Sequence, residues 1–148
     1  MKVTMILADR AEAINGKLYI MGGGWSITGP DPVPSALAVK LEVPWDETNR
    51  QHTLRLALID DDGQPVIPVG AEKPFEITGK FEVGRPTGLP PGTPLDNVLA
   101  LNFPPMPLER GKRYIWRMWI DDQSQDDWQV AFLVRRGQPQ PGRPLGLG

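Results

Sequence analysis

The fold is decided by residues 108–122, which read LERGKRYIWRMWIDD. Every second residue from Tyr114 to Ile120 is apolar, which is the period of a β-strand with one face turned to a core. Leu108 precedes the tyrosine by six positions. That spacing is typical of the tyrosine corner of Greek-key sandwiches, where the phenol hydroxyl bonds back to the arch before the strand. The stretch therefore predicts a core strand of a β-sandwich.

Short alternating segments continue through the rest of the chain. The sequence holds 16 Gly and 17 Pro, which separate these segments, and Gly and Pro supply the backbone torsions that turns need. The predicted strands cover residues 2–8, 17–21, 36–43, 53–59, 64–69, 73–83, 99–103, 114–120 and 128–134. We therefore predict an all-β protein, an antiparallel β-sandwich of Greek-key, immunoglobulin-like or jelly-roll-like type with eight to ten short strands.

The N-terminal part contains three local signals. Asp9–Ile14 is ambiguous, because its residues allow a helical turn but are few for a helix. Asn15-Gly16 predicts a type I′ hairpin turn, after which the chain runs back antiparallel. The glycines Gly22–Gly24, followed by Trp25, predict a bulge or a close approach of the backbone.

The middle of the chain contains three more. Pro65 and Pro68 confine the strand 64–69 to a sheet edge, because proline cannot donate a ladder hydrogen bond. Gly79 interrupts the inward face of 73–83 and predicts a bend or bulge. Residues 84–96, GRPTGLPPGTPLD, form a long connection that is either an interaction loop or a crossover between sheets.

Composition excludes several classes of protein. At 148 residues with a net charge of −2, the chain suits one domain and has no basic field for nucleic acid or a membrane surface. There is no cysteine, which removes disulfides and thiolate chemistry. We expect a single domain over 1–136, a Pro/Gly-rich tail over 137–148, and no leader. The location is then cytoplasmic, or within a particle assembled in the cytoplasm.

Titratable residues give no catalytic or cofactor signature. The acidic turns suggest weak metal candidates for a rim calcium site, but Asp side chains also cap turns, and no ligand array follows them. The candidates are Asp60, Asp62, Asp121 and Asp122. His52 is the only histidine, and we expect it on the surface, without a triad context. We predict no catalytic residue, no resident metal and no cofactor.

The tryptophans are the strongest signal of an interaction surface. Alternation places Trp116 and Trp128 on core faces and Trp119 on the opposite face. Trp25 and Trp45 belong to loops. Exposed tryptophan is enriched at interfaces, although a long loop could equally cover Trp119. The Pro-rich loop could dock as an arm or serve as a rigid connection. The interface candidates are Trp25, Trp45, Trp119, Arg85, Pro90 and Pro91.

The chain also resembles an uncharacterised family of small bacterial proteins that includes phage-encoded members. The segments that carry the resemblance are ADRAEAINGKLYIMGGGWSITGP (8–30), ALAVKLEVPWD (36–46), IDDDGQPV (59–66), FEVGRPTGLPPGTPLD (81–96) and ERGKRYIWRMWIDD (109–122). The GKLYxxGGGW and PGTPLD motifs are the most specific. The resemblance runs from about Lys2 to Arg135, and it implies one compact β domain with no assigned activity or catalytic residues.

These observations favour a non-enzymatic structural or interaction subunit. We expect it to bind protein partners and to self-associate as a homo-oligomer, or to decorate a larger assembly such as a phage or phage-like particle. The alternative is a carbohydrate- or calcium-binding β-sandwich module that uses the loop or surface tryptophans together with the Asp groups.

Overall fold

Ten β-strands and one short 3₁₀ turn form the part of the chain, residues 1–137, that the computed structural model describes. The strands are β1 (Lys2–Ala8), β2 (Arg10–Ile14), β3 (Lys17–Met21), β4 (Ile27–Thr28), β5 (Ser35–Val43), β6 (Gln51–Asp60), β7 (Glu76–Glu82), β8 (Leu95–Phe103), β9 (Arg113–Ile120) and β10 (Gln129–Val134), and the 3₁₀ turn is Trp45–Glu47. The predicted all-β fold is confirmed.

Two sheets share one core. The three-stranded sheet has the order β1-β5-β8, and the five-stranded sheet has the order β4-β10-β9-β6-β7. Pairing is antiparallel except between β4 and β10, which run parallel. The central strand of the larger sheet is β9, which contains the alternating residues Tyr114–Ile120. The molecule is therefore a β-sandwich with the Tyr114–Ile120 strand at its centre.

The core takes the alternate residues of both sheets, as the sequence period predicts. Trp116 is 3 % exposed. Its ring stacks on Phe103 with centroids 4.7 Å apart and meets Phe75 edge-on at 5.5 Å. Because Phe103 ends β8 and Phe75 precedes β7, this aromatic cluster joins the two sheets. The second predicted core tryptophan, Trp128, is also buried.

The tyrosine corner is present. The backbone N–H of Glu109 donates to the Tyr114 hydroxyl oxygen at 2.9 Å, and the hydroxyl lies 3.3 Å from the Glu109 carbonyl oxygen, to which it donates. Gly111 turns the arch with a φ of 79° and donates its N–H to the Val134 carbonyl at 2.7 Å. These bonds fix the arch to the ends of β9 and β10.

The hairpin β2–β3 lies on the outer face of the three-stranded sheet. Asn15 and Gly16 have φ values of 52° and 73°, so the predicted hairpin turn is confirmed. The ambiguous segment before it is a strand. The Asn102 side chain of β8 holds that strand by bonding both the N–H and the carbonyl of Ala11. Small side chains make the contact: Ala8, Ala11, Ala36 and Ala38 are buried together there.

The predicted close approach at the glycines is also present. A Cβ on Gly22 would collide with the Asp9 carboxylate, and one on Gly23 would collide with Ile20. Gly24 donates its N–H to the Leu7 carbonyl at 2.7 Å, so this segment covers the end of the β1 edge. The glycines thus let the chain pass from the hairpin to β4.

In the middle of the chain, the strand predicted at 64–69 is wrong, and of the two alternatives predicted at Gly79, a bend or a bulge, the bulge is excluded. Residues 64–69 form no strand. Pro65 makes one isolated bridge to Ile59, because the prolines leave too few N–H donors for a ladder. Gly79 causes no bulge, since it pairs in register with Leu54. The connection after β7 leads to β8 in the other sheet, so it is the crossover that the sequence left as one of two alternatives.

Candidate functional site

The β8 strand is an unpaired edge. Only β5 pairs with it, and within residues 1–137 the other side of β8 receives no backbone hydrogen bond. The strand runs nine residues, Leu95–Phe103, and contains no proline. A long edge strand with free N–H and C=O groups is a template for pairing with another strand.

Burial confirms that this side of the sandwich is open. Leu37 and Val39 of β5 are 0 % exposed. Leu101 and Leu99, their partners on β8, face the same interior but are only half-buried. Apolar surface at the β8 edge therefore remains accessible to solvent, where a neighbouring strand could cover it.

Two of the other sheet edges, β7 and β4, are less suited to pairing, and β1 is covered at one end. β7 carries Glu76, Lys80 and Glu82, β4 has two residues, and the Gly24 segment covers the end of β1. β8 carries a single charge, Asp96, which lies 3.8 Å from Lys40. Sequence reasoning missed this surface, because alternation identifies a strand but does not show which strands lie at a sheet edge.

Trp45, Arg85 and the Pro-rich loop come together at one end of the sandwich. The Arg85 guanidinium lies 4.1 Å from the Trp45 ring centroid, and its nitrogens donate to the Thr48 hydroxyl at 2.6 Å and the Trp45 carbonyl at 2.5 Å. Pro90 and Pro91 are exposed on the same loop. Trp45 and Arg85, two predicted interface residues, are therefore in contact. This contact also fixes the start of the connection from β7 to β8.

Trp119 lies on the outer face of the five-stranded sheet, as predicted, and is half-buried. Arg55 covers its ring at 3.7 Å from the centroid, and Arg117 lies at 5.8 Å. A shallow cleft of about 260 Å³ beside it is lined by β6, β7, β9 and Asp122. Within residues 1–137, the side chains over this tryptophan are therefore arginines from the same sheet.

Trp25 lines a different cavity at the opposite end of the sandwich from Trp45. The cavity measures about 50 Å³ and its walls are largely apolar. We call it the Trp25 cavity; it is lined by Leu7, Trp25, Thr28–Val33, Ser35, Met106, Leu108, Trp116, Phe132 and Val134. Trp25 meets Phe132 edge-on, with centroids 6.2 Å apart, and its buried indole N–H has no acceptor among the described residues. The three predicted interface tryptophans thus line three separate surfaces.

The four Asp candidates do not form one site. Asp60 ends β6 and accepts the N–H groups of Asp62 and Gln64, both at 2.9 Å. Asp121 and Asp122 follow β9 at the other end of the sandwich and have φ values of 51° and 62°. Within residues 1–137, no three His, Asp or Glu side chains lie close enough to share a metal ion. The observed role of Asp60 and of the Asp121-Asp122 pair is to shape turns.

His52 is not on the surface, and that prediction is wrong. The side chain is 1 % exposed and stacks on Phe81 at 5.1 Å. Its Nδ1 lies 2.7 Å from Asp121 Oδ2, and its Nε2 lies 2.7 Å from the Glu47 carbonyl. Both partners are acceptors, so these contacts favour the positively charged ring, in which both nitrogens donate. The sequence around His52 indicates only a polar approach to a strand, and no sequence signal marks Asp121 as its partner.

The electrostatics of this pair follow from those contacts. Burial by itself lowers the pKa of His52, but the hydrogen bonds to Asp121 and Glu47 and the attraction of Asp121 outweigh it and raise the pKa above its ordinary value. Arg50 opposes this effect. The hydrogen bond from His52, with that from the Thr53 N–H, lowers the pKa of Asp121. The ion pair links β6 to the turn after β9, and the hydrogen bond from His52 Nε2 links β6 to the 3₁₀ turn.

The free energy of unfolding should therefore fall as the solution becomes alkaline. A raised His52 pKa stabilises the folded state fully below 6.5, the unperturbed value, and this contribution disappears as the pH rises through the folded pKa. The lowered Asp121 pKa adds a contribution that is lost only as strong acid protonates the carboxylate. Urea unfolding from pH 5 to 9 measures the slope. In Asp121→Asn the slope should flatten, and an equal slope in both proteins would contradict the ion pair.

Most of the chain matches a protein family. Residues 3–132 match the model of a family described as "Family of unknown function (DUF6941)". No curated protein and no solved structure matches the chain. Within the described residues, no helix is long and apolar enough to cross a membrane.

Proposed function

Since the chain belongs to the DUF6941 family, which has no known function, we propose its role from the geometry: it is a non-enzymatic β-sandwich subunit that self-associates through the β8 edge. The observation that carries this proposal is the β8 strand, which has one charged residue and, within residues 1–137, no strand partner on its outer edge. Such a subunit would act in the cytoplasm, within a homo-oligomer or a larger assembly such as a phage-like particle.

The partner that fits this edge is a second copy of β8. In an antiparallel pair centred on Leu99, Asp96 would lie opposite Asn102, and Val98 would lie opposite Ala100. No like charges meet, because β8 has only one charged residue. An antiparallel pair of two β7 strands, centred on Gly79, would place Glu76 opposite Glu82. Two like charges directly opposite each other are unfavourable. Charge complementarity therefore favours pairing through β8 over pairing through β7.

Pairing would join two three-stranded sheets into one six-stranded sheet. Each new backbone hydrogen bond contributes about 1 kcal/mol. The half-exposed Leu99 would lie beside its symmetry mate, and the half-exposed Leu101 would lie opposite Asn97 of the second copy. The contact is isologous, so it closes as a dimer and leaves the other surfaces available for a larger assembly.

A carbohydrate-binding role has less support from the geometry. Stacking of a sugar requires a free aromatic face. Arg55 lies over the Trp119 ring and Arg85 lies over the Trp45 ring, while Trp25 packs against Phe132.

The non-enzymatic assignment is supported by His52, whose ring nitrogens both hold structural hydrogen bonds.

Val98→Glu tests the proposal, with Thr4→Glu as its matched control. Val98 and Thr4 both lie beside Lys40, on the β8 and β1 sides of β5. Each variant therefore adds a carboxylate next to the same lysine, but only Val98→Glu places it on the β8 edge. We expect the wild-type protein to dimerise, and Val98→Glu to raise the dimer dissociation constant about tenfold or more, a change of at least about 1.4 kcal/mol.

Light scattering and sedimentation across a concentration series measure this constant. Thr4→Glu should dimerise like the wild-type protein. A monomeric wild-type protein at every concentration would reject self-association through β8. Equal dimerisation of wild-type and Val98→Glu proteins would show that the contact lies elsewhere.

A further inference from the structure

Given the β8 pair proposed above, on which this inference rests, we propose that the β2–β3 hairpin reaches past the β8 edge and packs on the outer face of a second copy. Its occupant is the β8 strand of that copy, at Asp96 and Val98. The contact is made by side chains, whereas the β8 pair is made by the backbone. The hairpin thus supplies a second part of the same interface.

The path of β2 runs across the strands of the three-stranded sheet. Ala8 of β1 pairs with Ala36 of β5, and Ala36 pairs with Asn102 of β8, so these residues form one row across the sheet. β2 begins at Arg10, just after the first residue of this row. Its Ala11 is bonded to Asn102, the last residue of the row. β2 therefore runs from the β1 side of the sheet toward the β8 side.

The rest of the hairpin projects beyond this contact. A strand rises about 3.3 Å per residue, so Ile14 lies about 10 Å further along β2 than Ala11. That length equals about two strand spacings. Burial agrees with this direction, because Ala11 is 0 % exposed while Ala13, on the same face of β2, is exposed. The face of the hairpin that is turned toward the sheet, its underside, is therefore uncovered at Ala13 by the described residues.

The β8 pair would place a second copy beneath this underside. In the antiparallel pair centred on Leu99, Asp96 of the second copy lies opposite Asn102, about 5 Å away across the new strand pair. Ala13 lies about 7 Å beyond Ala11 along β2, and Ala11 is held at Asn102. These two lengths place Ala13 over Asp96 of the second copy.

The apolar part of the underside is continued by the second copy. Leu18 is the cross-strand partner of Ala13. It packs beside Ala100 of its own copy and is half-buried. In the β8 pair, Val98 of the second copy lies opposite Ala100, so Leu18 would gain a second apolar neighbour. Burial of this surface would favour the contact.

The charge at the tip of the hairpin also fits. Lys17 begins β3 and forms no ion pair among residues 1–137. In the second copy, the row beneath β2 runs from Asp96 to its pairing partner Glu42. Each of these carboxylates has one lysine of its own, at 3.8 and 3.6 Å, and a carboxylate accepts from more than one donor. The tip therefore brings a cation to an acidic row.

Disulfide formation between introduced cysteines tests this contact. The chain contains no cysteine, so the double variant Ala13→Cys/Asp96→Cys carries only the two new thiols. Within one copy they are far apart, because Asp96 lies about 20 Å along β8 from Asn102, where the hairpin is held. A disulfide needs Cα atoms within about 7 Å of each other. It can therefore form only between copies.

The matched control is Tyr19→Cys/Asp96→Cys. Tyr19 neighbours Leu18 on β3, points to the opposite face of the hairpin and is 54 % exposed. After mild oxidation, we expect the Ala13 variant to run mainly as a covalent dimer on a non-reducing gel, with a yield about tenfold or more above that of the control, because only its thiols approach within disulfide range. No covalent dimer from the Ala13 variant, or equal yields from both variants, would overturn the proposal.

Ala13→Glu gives a second readout without oxidation. It places a carboxylate over Asp96 of the second copy, and like charges that face each other are unfavourable. We expect its dimer dissociation constant to rise about tenfold, a change of about 1.4 kcal/mol. Tyr19→Glu should dimerise like the wild-type protein. Equal dissociation constants for the two variants would contradict the contact.

Native mass separates the failure of the hairpin contact from the failure of the β8 pair. A wild-type dimer that Val98→Glu weakens, combined with no covalent dimer from Ala13→Cys/Asp96→Cys, would reject the hairpin contact and retain the β8 pair. A wild-type protein that stays monomeric would reject the β8 pair and the hairpin contact with it.

Discussion

Replacing His52 by alanine should lower the free energy of unfolding by about 3 kcal/mol. The substitution removes a side chain that is 1 % exposed and leaves a void beside Phe81. It also removes the hydrogen bonds at 2.7 Å to the Glu47 carbonyl and to the Asp121 carboxylate. Each contributes about 1 kcal/mol, and the bond to Asp121 contributes less because that carboxylate is 48 % exposed and water can replace it. Urea unfolding at pH 6, where the wild-type ring is protonated, measures the difference.

Gln51→Ala is the control for His52→Ala. Gln51 precedes the histidine on β6 and is exposed, so its removal should change the free energy of unfolding by no more than about 0.5 kcal/mol. If His52→Ala costs no more than this control, the histidine is not buried in solution, and the pH dependence expected of the wild-type protein should be absent as well.

The second large effect distinguishes the two faces of β9. Trp116→Ala should destabilise the protein by about 4 kcal/mol, because it empties the centre of the aromatic cluster with Phe75 and Phe103. Trp119→Ala should cost only about 1 kcal/mol. The side chain is half-buried, and its main contact is the stacked Arg55.

The two tryptophan variants control for each other, since they remove the same side chain three residues apart on one strand. Urea unfolding at a single pH is sufficient for the comparison. Similar losses from both variants would mean that both faces of β9 are covered, in which case the outer face would be buried against a partner.

The alternation in β9 was enough to predict a strand with one buried face. The other short alternating segments extended this prediction to a sandwich. The tyrosine corner and the hairpin turn at Asn15-Gly16 were equally readable, since each depends on residues close together in sequence. The same locality explains the errors at residues 64–69 and at Gly79. A strand is stabilised or lost according to its partner, and the partner was not visible.

The candidate surfaces were less predictable for a related reason. The position of β8 at a sheet edge depends on the order of all the strands, which alternation does not report. His52 becomes a core residue because Asp121, 69 positions away, folds back over it. The sequence places Trp25 and Trp45 in or beside loops, but only the structure shows that Arg85 lies over the Trp45 ring and that Trp25 lines a cavity.

The alanine contact beneath the β2–β3 hairpin has a consequence for how the molecule opens. Ala8, Ala11, Ala36 and Ala38 bury little apolar surface, and a methyl group contributes less than about 1 kcal/mol. Leu18 and Ala100 pack against these alanines, and the Asn102 side chain bonds β2 through Ala11. The hairpin should therefore separate from the sandwich in a local opening that leaves both sheets folded. Such an opening would uncover a smooth, small-residue face, while the aromatic core remained closed.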